Sequence, residues 1–115
     1  MPISAKYIFV VSMDVDADKE AVFNEVYDHD HIPYLMKVPG VRAVTRAKGE
    51  PFAVAIAGTV KQVEHTGARY TAIYEIDDPK ILSGAAWAKA VEAGRWAGEV
   101  RPYTRNRSHA VFKVR

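Results

Sequence analysis

Seven residues near the N-terminus, Tyr7–Met13 (YIFVVSM), are apolar on both sides of an extended backbone, and everything after them has to pack accordingly. Alternate side chains of a strand point to opposite faces, so Tyr7, Phe9, Val11 and Met13 form one face and Ile8, Val10 and Ser12 the other. A strand of that composition is covered on both sides in a folded protein. The chain must either supply two covering layers itself or leave an apolar sheet surface to a partner.

The rest of the pattern supplies helices for one side only. Asp16 is placed to cap a helix from about Ala17 to His31, with Asp18 and Glu20 at its positive end. Phe23, Val26 and Tyr27 form its buried stripe, resumed by Tyr34 and Leu35. Pro33 has no N–H and clashes with the carbonyl of His29, so it is expected to stop or kink this helix. Pro39-Gly40 then turns the chain into a second strand, Val41 to Lys48. Arg69 to Ile76 (RYTAIYEI) reads as a third strand, with Tyr70, Ala72, Tyr74 and Ile76 on one face. Asp78-Pro79 opens a helical turn, Ser83 caps a second helix over Gly84–Ala93 with Trp87, Ala90 and Val91 inward, and Gly94 ends it. Arg95 to Tyr103 is a connection. Thr104 to Val114 is a fourth strand, whose alternation places Arg105, Arg107 and His109 on one face. Residues 50–68, containing the apolar FAVAIAG, are too long for a tight hairpin and read as an insertion serving as a lid or contact surface, or as an extra strand.

The order is β-α-β-β-α-β, an α+β, ferredoxin-like arrangement with a four-stranded antiparallel sheet, expected as one domain over residues 1–115. Two helices cover one face of that sheet. A second copy of the chain is the simplest cover for the other, giving a homodimer in which two sheets pack face to face as a barrel.

Composition excludes several classes. The chain has no cysteine, so it has no disulfide framework, thiolate metal site or thiol chemistry, and a reducing, cytoplasmic setting is expected. It shows neither a signal-peptide pattern nor an apolar run near the ~20 residues of a membrane span. Residues 1–40 hold seven acids and three bases, and residues 81–115 hold two acids and seven bases. This segregation is either ordinary surface or a charge match between two copies. Nucleic acid is not an expected partner, because no recognition motif accompanies the arginines.

The chemistry-bearing residues cluster at the helix break, Tyr27-Asp28-His29-Asp30-His31-Ile32-Pro33. His31 is the candidate acid or base, with Asp28 and Asp30 as carboxylates able to orient it or raise its pKa. The alternative is a structural His31 hydrogen-bonded at the break. Tyr70 and Tyr74 either line a barrel and orient a ligand or sit beneath the helices as core. Trp96, following Gly94, either packs or walls a pocket. Arg105 and Arg107 either make salt bridges or hold a carboxylate. His65 is either an exposed loop histidine or a mobile group closing over the cleft. No metal site is expected. Asp28 and His31 have helical spacing, but two ligands do not make a site, and the remaining metal reading pairs His31 with His65 or His109. Asp14-x-Asp16-x-Asp18 imitates a calcium loop but has Lys19 where the turn needs Gly. No cofactor fingerprint is present.

Phe23-Asn24-x-x-Tyr27-Asp28-x-Asp30-His31-Ile32-Pro33, followed by Val38-Pro39-Gly40-Val41, resembles the dimeric α+β barrel superfamily and, more narrowly, EthD-like proteins. The resemblance extends to Trp87, Gly94-Arg95-Trp96 and Arg101-Pro102-Tyr103-x-Arg105-Asn106-Arg107. The chain departs from those relatives at Val26, where they carry Trp, and at Asp30, where they carry Glu. The resemblance implies a cleft between the sheet and the first helix, open near His31, that takes a small apolar or aromatic molecule. Tyr27 joins Tyr70, Tyr74, Trp96, Arg105 and Arg107 as ligand-binding candidates. It also implies cofactor-independent isomerisation, cyclisation, dehydration or oxygenation. A non-catalytic accessory module and haem handling are the alternatives.

Overall fold

A computed structural model describes residues 3–115. Strand β1 spans Tyr7–Val15, β2 Val41–Lys48, β3 Phe52–Ile56, β4 Thr59–Val63, β5 Tyr70–Ile76 and β6 Thr104–Lys113. The α-helices are α1 (Glu20–Val26), α2 (Ile32–Met36) and α3 (Ala85–Glu92). The main sheet runs β2-β5-β1-β6, with every neighbouring pair antiparallel. This is the split β-α-β order read from the sequence, with the doubly apolar β1 in an interior position.

The helices cover one face. Phe9, Val11 and Met13 of β1 pack with Tyr70, Ala72, Tyr74 and Ile76 of β5 against Phe23, Val26, Leu35, Ala90, Trp96 and Val100. The odd-numbered positions of β1 are therefore the core side. The opposite face carries Ile8, Val10, Ile73, Ala43, Ala110 and Phe112, in register across the four strands and with no helix over it. Phe112 is 53% exposed.

Pro33 does not end the first helix. The backbone stays helical from α1 through a π-helical turn, Tyr27–His31, into α2, with Pro33 in the first turn of α2. The N–H of Ile32 reaches back five residues to the carbonyl of Tyr27. Widening the turn moves the His29 carbonyl off the proline ring, which an α-turn would not allow. A second π-helical turn, Trp96–Val100, has the same form: Arg101 N–H bonds to Trp96 O, and Pro102 follows. The expected connection 95–103 is therefore helical for much of its length.

Capping follows the sequence in part. Asp78 accepts from Lys80 N–H at 2.8 Å. Asp16 makes no side-chain cap; its carboxylate pairs with Arg105 instead. Gly84, not Ser83, precedes α3. Gly40 follows Pro39 with φ +95°, which the turn into β2 requires.

Residues 50–68 contain the extra-strand alternative: β3 and β4 form a two-stranded hairpin sheet of their own. Lys48 pairs with Tyr70, and Gly49 N–H donates to Arg69 O at 2.7 Å, so β2 and β5 already close at the base of this arm. Phe52, Ile56 and Val60 on the arm are each at least half exposed.

Candidate functional site

The two π-helical turns face each other and build the site. His31 closes the first and Trp96 opens the second. Their rings stack with centroids 4.4 Å apart and planes 13° apart. Tyr27 meets both edge-on, at 5.2 Å from His31 and 4.9 Å from Trp96. The turns are tied together by Asp30, whose carboxylate accepts the Arg95 N–H at 3.0 Å. Gly94 has φ +72°, and a Cβ there would run into the Asp30 carboxylate and the Tyr34 ring, so the close approach depends on glycine.

Beside this stack lies a cavity of about 260 Å³ between sheet and helices. Phe9, Leu35, Tyr74, Trp87 and Trp96 are among its apolar walls, and His31, Arg101, Arg107 and His109 are its basic lining. No carboxylate lines it among the described residues. Its inner walls are buried, whereas Arg107 and His109 belong to the exposed strand β6. The cavity therefore opens along that sheet edge.

His31 is only 4% exposed, and its Nδ1 has no hydrogen-bond partner among the described residues. Burial, helped by the positive charge of Arg101, pushes its pKa down to about 4; Asp30 and Glu92 act against this. At neutral pH the ring is neutral, with one donor and one acceptor nitrogen.

Tyr27 and Tyr74 share a buried hydroxyl–hydroxyl hydrogen bond. Burial pushes Tyr27 up to about 12 and raises Tyr74 well above the usual phenol range. Arg46 stacks over Tyr27, Phe23 and Tyr70, with its charge met by Asp28 at 2.8 Å and Asn24 at 2.9 Å.

The structure thus brings together His31, Tyr27, Tyr74, Trp96 and Arg107 from the sequence-derived candidates. Asp28 points to Arg46 and Asp30 to the Arg95 backbone, so neither carboxylate lines the cavity. Tyr70 and Arg105 meet elsewhere, at an open charged depression of about 480 Å³ with Asp14, Glu20, Lys48 and Arg69. Tyr70 donates to Glu20 there. The expectation that Arg105 and Arg107 share a face fails because of a bulge. Ser12 pairs with Ser108 and Asp14 with Arg105, so β6 advances three residues while β1 advances two. Asn106, at φ +55°, absorbs the extra residue, and the two arginines end on opposite faces. His65 sits at the base of the hairpin arm, bonded to Ala68 O at 2.8 Å and outside the cavity lining.

Arg46, Arg101 and the cavity role of His109 were not singled out from the sequence. The available signals were the shared face of Arg46 with Tyr70 and Tyr74, and of His109 with Phe9 and Val11. The acidic and basic ends of the chain meet within one molecule, through Arg95–Glu25 at 3.0 Å and Arg105–Asp16. No group of three or more metal-binding side chains is found among the described residues. No helix among them is long and apolar enough to cross a membrane.

The class defined is an α+β, ferredoxin-like fold with an aromatic-walled cavity beneath its helices. No family model matches the sequence, and no curated protein does. Among solved structures, an ethyl tert-butyl ether d (EthD) family protein from Bacillus halodurans C-125 superposes with a TM-score of 0.59 over 95% of this chain and 99% of that one, at 12% identity. The fold implied by the motif resemblance is therefore the fold observed.

Proposed function

We propose that the chain acts as a homodimer that binds a small apolar or aromatic organic molecule in this cavity, with neutral His31 giving or taking a proton. The observation that carries the reading is an aromatic-walled cavity of about 260 Å³ whose lining includes the buried imidazole of His31. Trp96, Tyr27 and Tyr74 shape the wall. Asp30 acts on His31 through space, favouring its protonated form, and Asp28 holds Arg46 over Tyr27. Tyr70 and Arg105 belong to the frame. The bare outer face of the sheet supports the dimer, and the lack of cysteine supports a cytoplasmic setting. Isomerisation, cyclisation, dehydration and oxygenation are the reaction classes that fit.

The test is His31→Gln, assayed on a compound found to bind. Loss of about 10²–10⁴-fold in kcat with affinity kept supports acid/base work. Unchanged turnover removes His31 from the mechanism. A non-catalytic binding module is the second reading, favoured by Tyr27 and Tyr74 being hydrogen-bonded to each other. Haem handling is a third reading, and the absence of a Soret shift on mixing the chain with haemin would dismiss it.

A further inference from the structure

We infer that the preferred ligand is an aromatic anion, a one- or two-ring compound with a carboxylate or comparable group, held ring-inward with its charge at Arg107. The inference rests on the cavity reading above and adds to it an orientation and a charge. Size comes first. An apolar cavity of about 150 Å³ takes one benzene ring, so about 260 Å³ takes two fused rings or a ring with a short chain.

Polarity sets the direction. The inner lining is buried and aromatic or aliphatic: Tyr27, Leu35, Tyr74 and Trp96, with Phe9 behind them. At the exposed sheet edge β6 contributes two polar residues, Arg107 and His109, to this lining. A ligand with one charged end therefore has one favourable orientation.

Charge sets the class. The lining includes two arginines and no acid among the described residues. Arg101 is already committed, with its guanidinium on both oxygens of Glu92 at 2.9 and 2.7 Å and on Val91 O at 2.9 Å. Arg107 makes no ion pair among the described residues, unlike Arg105 on the other face. Its planar fork is suited to a carboxylate. Regular alternation from His109 puts Arg107 on the cavity side, and the β6 bulge beyond it turns only Arg105 away.

The experiment is calorimetric titration of the full chain with 2-naphthoate and with its neutral counterpart 2-naphthamide, at pH 8 and low salt. Wild type, Arg107→Gln and Arg105→Gln are compared. The expected result is naphthoate binding about tenfold tighter than naphthamide in the wild type. Arg107→Gln removes that preference and Arg105→Gln keeps it. Added salt narrows the preference, because the charge contact is at an exposed mouth. Equal binding of both probes, or a preference untouched by Arg107→Gln, overturns the anion inference and leaves the cavity reading standing. Binding of neither probe overturns both.

Discussion

His31 carries a pH dependence whose sign follows from its surroundings. Its pKa is near 4 in the folded chain and 6.5 when unfolded, so between those values the unfolded state binds more protons. Stability is complete above pH 6.5 and falls as the pH drops toward 4, by up to about 1.4 kcal/mol per pH unit and about 3 kcal/mol in all. Urea denaturation at pH 7.5, 6, 5 and 4 should show this fall, and His31→Leu should flatten it. An equally steep fall in the variant would assign it to other groups. The tyrosine pair offers a second test. Removing either hydroxyl, by Tyr27→Phe or Tyr74→Phe, leaves its partner buried without a bond and should cost about 1–3 kcal/mol. The double variant should cost clearly less than the sum of the two, because no orphan remains. Additive losses would mean that each hydroxyl has another partner. Of these residues, His31 and its tyrosine neighbour were legible as candidates from their place at a helix break. The Trp96 stack was not, because the two π-turns are brought together only by packing.

At the scale of elements, the two π-helical turns are the devices that make the site. Each ends two residues ahead of a proline, Pro33 or Pro102, and each contributes one ring of the His31–Trp96 stack. A proline that stops a helix and one that widens it look alike in sequence. The difference is whether the next turn has a core to bury into, and Leu35, fully buried in α2, supplies one. Pro33→Ala restores the N–H and removes the ring clash, so the turn should tighten toward α geometry and shift His31 against Trp96. The expected readout is a changed ring-current shift of the His31 Hε1 resonance. An unmoved resonance would show that packing, not proline, sets the turn. The hairpin of β3 and β4 was equally ambiguous in sequence, because its apolar run lacks the buried-face alternation that distinguishes a strand from a loop.

At the scale of the molecule, the described residues form a slab 50 × 38 × 20 Å. Twenty ångströms is the thickness of one helix layer on one sheet, which agrees with a second sheet face left uncovered. Ile73 lies near the middle of that face, on β5 between β2 and β1. Ile73→Lys should therefore convert the proposed dimer to a folded monomer, read as a drop in mass by sedimentation equilibrium with an unchanged circular dichroism spectrum. Wild type that already sediments as a monomer at micromolar concentration would sink the dimer. Phe52, Ile56 and Val60 of the arm are exposed as well.

The periodic and local features were determined by the sequence alone. Alternation along β1 and β5, the Pro39-Gly40 turn and the order of elements each depend on neighbours within a few residues, where backbone sterics and side-chain spacing act directly. Other features were decided only by the tertiary structure. The bulge that turned Arg105 away from Arg107 arises from register against β1, Asp30 reaches an amide 65 residues onward, and a doubly apolar strand acquired a buried side and a bare one. Register and facing depend on contacts between distant segments, and a strand's own pattern is nearly unchanged by a one-residue slip that moves every side chain to the other face.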